Sequence, residues 1–143
     1  MSHIEKYKND FILLAEAGFI AINQCDEDAA IKLFKAAELL DKNNQLSKIG
    51  FGYLHLHKME LELAIKAFNE VLKKEPDNEM AKALMGISMT FTTNQVGKGE
   101  KILFDIQQST DDKEVKQLSE TAIDFVDTFI KKEPTPVEGK HKK

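Results

Sequence analysis

The 143-residue chain has no arginine and no tryptophan, one cysteine, three prolines and seven glycines. Without arginine it lacks the forked guanidinium that grips phosphate, and 20 lysines against 24 carboxylates leave a net charge of −4. That balance argues against a nucleic-acid partner. Cys25, standing alone, excludes an internal disulfide and a cysteine-cluster metal site. So little proline and glycine argues against a turn-rich all-β domain. No apolar run approaches the roughly 18 residues of a membrane span. The opening MSHIEKYKND carries mixed charge, and Glu16 interrupts the apolar stretch from Phe11 to Ile22. A signal peptide is not expected, and the expected location is cytoplasmic.

What is present is repetition. Sliding the sequence by 34 positions lays Gly18 on Gly52, Phe19 on Tyr53, Ile20 on Leu54 and Ile22 on Leu56. The segment Ala30-Ile31-Lys32-Leu33-Phe34 then falls on Ala64-Ile65-Lys66-Ala67-Phe68. A period of this length marks a stack of supersecondary units. Each unit reads as two helices, 11–24 with 26–41 and 45–57 with 60–74. Ala30, Leu33, Phe34, Ala37 and Leu40 form one apolar stripe. Acidic residues 26–28 suit the positive end of the helix they open.

A third unit is expected from 79–91 paired with about 98–108. Gly86 keeps the 34-residue step from Gly52, and a one-residue insertion brings Gly99 opposite Ala64 and Leu103 opposite Phe68. Residues 111–132 read as a capping helix, opened by Asp111 with Glu114 three residues on. A stack needs such a cap over its last apolar face. The expected organisation is one helical domain, 1–132, with repeats at about 11–44, 45–78 and 79–110. Residues 133–143, with two prolines, a glycine and a basic end, read as a disordered tail.

Catalytic and metal chemistry finds little support. His55 and His57 are two apart on a helix and point to different sides, whereas a helical metal pair is spaced by four. Cys25 lies in an inter-helix turn beside acidic residues, and a reactive nucleophile is not expected there. Asp26-Glu27-Asp28 lacks the alternating ligands and central glycine of a calcium loop. No enzyme activity, cofactor or metal is expected. The basic end, Lys140 to Lys143, reads as a solubilising segment.

Gly18, Ala30, Phe34 and Ala37, then Gly52, Ala64, Phe68 and Pro76, resemble the signature of the tetratricopeptide repeat (TPR). The family's tryptophan is missing, and Lys42 stands where the first unit would close on proline. The resemblance implies an all-α right-handed superhelix of three helix hairpins plus a C-terminal capping helix. It also implies that the first helix of each unit lines a concave groove. The groove positions are Ile12, Ala15, Phe19, Ile22 and Asn23; Leu46, Ile49, Tyr53, Leu56 and His57; and Met80, Ala83, Ile87, Thr90 and Phe91. That face is mostly apolar. The clamp with which one TPR subclass grips peptide C-termini would fall on Ala15, Phe19, Gly50, Met80 and Leu84, so it is absent.

Three repeats and one solvating helix in a small acidic chain resemble the chaperones of type III secretion. The implied function is non-enzymatic: binding an amphipathic helix of a secreted, self-polymerising needle subunit and keeping it soluble before export. A small co-chaperone can join such a pair. A translocator chaperone of the same system, or a generic protein–protein adaptor, is the alternative. The groove could also be filled by the chain's own C-terminal helix.

Overall fold

A computed structural model describes residues 5–131, and the expected tail, 133–143, lies outside the described residues. Among these, seven α-helices follow a short 3-10 turn at Glu5–Asp10, and no strand occurs. They are α1 (Phe11–Asn23), α2 (Glu27–Leu40), α3 (Leu46–His57), α4 (Leu61–Lys74), α5 (Glu79–Thr90), α6 (Val96–Ser109) and α7 (Lys113–Phe125). A π-helical turn, Val126–Ile130, extends α7. α1 packs on α2, α3 on α4 and α5 on α6, and each hairpin contacts the next through α2–α3, α4–α5 and α6–α7. The protein is an all-α stack of three helix hairpins closed by α7.

Local chemistry sets the helix starts. Asp26 accepts a hydrogen bond from the Ala29 amide at 3.1 Å, and Asn78 from Ala81 at 2.9 Å. Both are side-chain N-caps. At α7 the cap is Asp112 rather than the expected Asp111. Its extended backbone lets the carboxylate accept from the amides of Glu114 and Val115, at 2.9 and 3.2 Å. The α6 start also differs from expectation, because Val96 and Gly97 are already helical.

The turns inside the first two hairpins are copies of one another. Cys25 and Met59, 34 residues apart, both hold the left-handed conformation at φ near 60°. Beyond them the Asp26 amide reaches back to Ala21 O and the Glu60 amide to His55 O, each at 2.8 Å. This is the Schellman arrangement that satisfies the last carbonyls of a helix. In the third hairpin the left-handed residue is Asn94, 35 positions after Met59, so the one-residue insertion lies within that turn.

The core repeats as well. Phe34 and Phe68 are fully buried, and the Phe34 ring lies against Gly18 of its own hairpin and Gly50 of the next. A Cβ at Gly18 would stand 2.7 Å from that ring, so only glycine permits the approach. Leu103, also fully buried, takes the corresponding place in the third hairpin.

Candidate helix-binding groove

The odd-numbered helices form one wall. α1 touches α3, α3 touches α5 and α5 touches α7, with the even-numbered helices behind them. Along this wall runs an open cavity of about 530 Å³. It is lined by Phe19 of α1; Leu46, Ile49, Tyr53, Leu56 and His57 of α3; Met80, Leu84 and Ile87 of α5; and Glu114 and Leu118 of α7.

The 34-residue step explains why these side chains converge. Phe19, Tyr53 and Ile87 share one register; Leu46, Met80 and Glu114 share a second; Gly50, Leu84 and Leu118 share a third. Helix α7 therefore occupies the place that the first helix of a fourth unit would take. It walls the groove rather than filling it.

Aromatic contacts fix the groove floor. Phe19 meets Phe34 edge-on at 5.1 Å and Tyr53 edge-on at 5.7 Å, while Tyr53 stacks on His57 at 6.4 Å. These are favoured ring geometries. The Tyr53 hydroxyl donates to Asn23 Oδ1 at 3.0 Å, which holds the ring across the α1–α3 junction.

Eight of the fifteen expected groove residues lie on this cavity: Phe19, Leu46, Ile49, Tyr53, Leu56, His57, Met80 and Ile87. Seven do not. Ala83 and Thr90 are buried, and Asn23 accepts the Tyr53 hydroxyl instead. Ala15 and Ile22 are core residues, at 0% and 1% exposure. Ala15 packs with Phe11 and Ala37, and Ile22 with Ala30, Phe34 and Leu54. The reason is helical geometry, since both positions turn toward the helices behind the wall. Ile12 is exposed on α1 and Phe91 just past α5, its ring 5.7 Å from that of Phe125, and neither lines the cavity. Leu84, Glu114 and Leu118 were not expected to line the site, although the 34-residue step continued once more from Met80 and Leu84 reaches the last two.

Electrostatics concentrate away from the groove. At the rim of the hairpin turns Lys58 bonds Glu27 at 2.7 Å and Glu60 at 3.2 Å, and these partners raise its pKa. Glu60 also meets His55 at 3.2 Å, and the His55 and Lys58 contacts hold its carboxyl below the usual range. Because Glu27 opens α2 and Lys58 and Glu60 form the α3–α4 turn, the network ties successive hairpins together. No group of three or more histidine, cysteine, aspartate or glutamate side chains is placed to hold a metal ion among the described residues. No described helix is long and apolar enough to cross a membrane.

Over 113 residues, 78% of its length, the chain is 29% identical to peptidyl-prolyl cis-trans isomerase FKBP4 of Rattus norvegicus. It spans about a quarter of that relative's length, 25%. No family model matches the chain, and no solved structure matches it significantly.

Proposed function

We propose that this protein is a non-enzymatic binding module that buries the apolar face of a partner helix in its groove. The observation that carries the reading is the cavity itself. Seven large apolar or aromatic side chains from three 34-residue registers, together with Ile49 and Leu56, face one opening. Such a surface suits an amphipathic helix laid greasy side down. The tetratricopeptide-like plan and the distant likeness to the rat protein support a protein partner. They do not supply an activity.

The finer reading is a chaperone that holds a self-polymerising secreted subunit soluble in the cytoplasm. Three hairpins and one solvating helix, the plan of type III secretion chaperones, support it, with the needle-subunit branch ahead of the translocator branch. Burying the subunit's apolar helix would remove the surface that drives its polymerisation. A generic adaptor is the second reading, and one observation favours it. Leu13 and Ile20 are 65% and 57% exposed, although the residues one register on, Ser47 and Leu54, are buried. This leaves a second apolar surface at the N-terminal end.

Co-expression with a needle subunit tests the chaperone reading: the subunit should stay soluble and monomeric. Tyr53→Asp and Leu56→Asp should abolish its capture while circular dichroism stays helical, since binding energy concentrates in few desolvated anchors. Capture with unchanged subunit polymerisation would favour the adaptor. Full capture by folded groove variants would remove the groove from the reading.

A further inference from the structure

We propose, resting on the groove reading, that the partner carries a second apolar anchor next to its groove-binding helix, and that this anchor seats on three phenylalanines at the end of α7. Phe91, Phe125 and Phe129 form one row, with neighbouring ring centroids 5.7 and 4.9 Å apart. They are 38%, 42% and 70% exposed. Apolar surface gathered in this way marks interaction sites, and aromatic side chains are enriched in them.

The fold does not require these rings. In the register Asn23, His57, Phe91, Phe125 the first two are polar, and Tyr53 engages both. The first two hairpins therefore close without a phenylalanine at that position. Nor does α7 end as its counterparts do. α1, α3 and α5 stop at Asn23, His57 and Thr90 and the chain turns back, whereas α7 runs on through the π-helical turn Val126–Ile130. The Lys131 amide closes that wider turn by donating to Val126 O at 2.9 Å. Val126 is buried on its inner side while Phe129 stands outside. Single π turns of this kind are frequent at functional sites. The Lys131 ammonium lies 2.7 Å from Glu100 and 3.6 Å from Asp127, which ties the turn to α6. Rings already in place lower the ordering cost of binding.

Continuity with the groove names the occupant. Leu118, on the cavity, shares a face of α7 with Phe125, and Ile87, also on the cavity, shares a face of α5 with Phe91. The row thus takes over where the apolar lining of the cavity stops. A helix crossing four odd-numbered helices at roughly 9 Å spacing spans about 27 Å. From Leu118 to Phe129 the row follows α7 itself for roughly 16 Å. A segment adjoining the bound helix is therefore what reaches it, bearing a leucine, methionine or phenylalanine to match the rings.

The test titrates synthetic peptides into the full chain by calorimetry. One is a leucine-striped amphipathic helix of about 18 residues. Two others add a short flexible link and a leucine–phenylalanine pair, at one end or at the other, and a control adds two serines instead. One of the leucine–phenylalanine peptides should bind about tenfold tighter than the plain helix, because a linked second contact forms at high effective concentration. The serine control should show no gain. Phe125→Gln/Phe129→Gln should erase the gain and leave the plain helix's affinity unchanged, and Leu56→Asp should remove every peptide. No gain from either extension, or a gain untouched by the double variant, would overturn the inference and leave the groove reading standing. Binding of no peptide to the folded protein would overturn both. A gain seen only after Pro134→Ser, Pro136→Ser and Val137→Ser would overturn the inference by assigning the row to the chain's own C-terminal segment. A dimer in sedimentation that the double variant dissociates would overturn it by assigning the row to a second copy.

Discussion

The first two hairpins and the third solve one packing problem with different atoms. In the first two, a phenylalanine from the rear helix lies against glycines of the front helices, Phe34 on Gly18 and Phe68 on Gly52. In the third the rear helix has a glycine of its own. A Cβ on Gly99 would fall 2.8 Å from the Thr90 amide nitrogen and closer still to the Gly86 carbonyl oxygen, so the two backbones touch. Leu103 then fills the smaller space that remains. The repeat conserves a filled volume between helices rather than a particular side chain, which is what close-packed interiors require. It also explains why the third unit keeps its fold after losing its aromatic signature.

The strongest way to break this comparison is to empty the filled volume in each hairpin. Phe34→Ala and Phe68→Ala should each destabilise by about 3–5 kcal/mol, and Leu103→Ala by about 2–5 kcal/mol. Urea or thermal unfolding followed by circular dichroism measures both. If Leu103→Ala cost almost nothing, the third hairpin would not be packed on the same plan.

A second test inverts the first by adding volume. Gly99→Ala should cost about 1–3 kcal/mol, because the new methyl meets backbone that cannot rotate away. Gly52→Ala meets the Phe68 ring, at 2.6 Å from Cε1, instead. Trimming that ring with Phe68→Leu should recover part of the Gly52→Ala cost, so the double variant should be less destabilised than the sum. No such rescue should follow when Leu103→Ala is combined with Gly99→Ala.

A third test compares equivalent positions of neighbouring units. Ser47 is fully buried, its hydroxyl has no hydrogen-bond partner among the described residues, and one register on stands Ala81, also fully buried. Ser47→Ala should therefore stabilise by about 1 kcal/mol, by removing an unpaired buried hydroxyl. Loss of stability would mean that a bound water satisfies Ser47.

How far the sequence discloses this molecule depends on which force acts at each position. Hairpins were legible because helix contact demands small and large residues at fixed spacing, and that demand recurs every 34 positions. The groove was legible where a register position is walled on both sides, as at Tyr53 and Leu56. It was not at Ala15 and Ile22, because an apolar letter does not say whether it faces the groove or the helices behind it. Helix α7 read as a cap and not as a groove wall for a related reason. Its position after Gly18, Gly52 and Gly86 is Glu120, which is exposed and accepts from the Gln107 side chain of α6, with no second helix of its own hairpin among the described residues. With no such helix to approach, the glycine is not needed, and the mark of the unit disappears.

The smallest effect belongs to the turns, where the two kinds of hairpin part again. Cys25 and Met59 hold left-handed backbone at φ 60° and 59°, and Asn94 at φ 69°. A side chain with a Cβ is crowded there by the adjacent carbonyl, and only glycine avoids the cost, although asparagine tolerates it better than most. Cys25→Gly and Met59→Gly relieve that crowding but admit more freedom to the unfolded chain, so the two contributions oppose. The relief is the larger, and each change should stabilise by about 0.5–1 kcal/mol. Asn94→Gly should gain less, because asparagine already accepts the conformation. The Schellman bonds at Asp26 and Glu60 involve backbone alone and survive these substitutions, so any shift in Tm reports the turn residue itself. A larger gain at Asn94 than at Met59 would overturn the idea that the third turn chose its residue for the left-handed backbone. Equal stability of all three variants and the parent would show that the crowding is already relaxed within the turns.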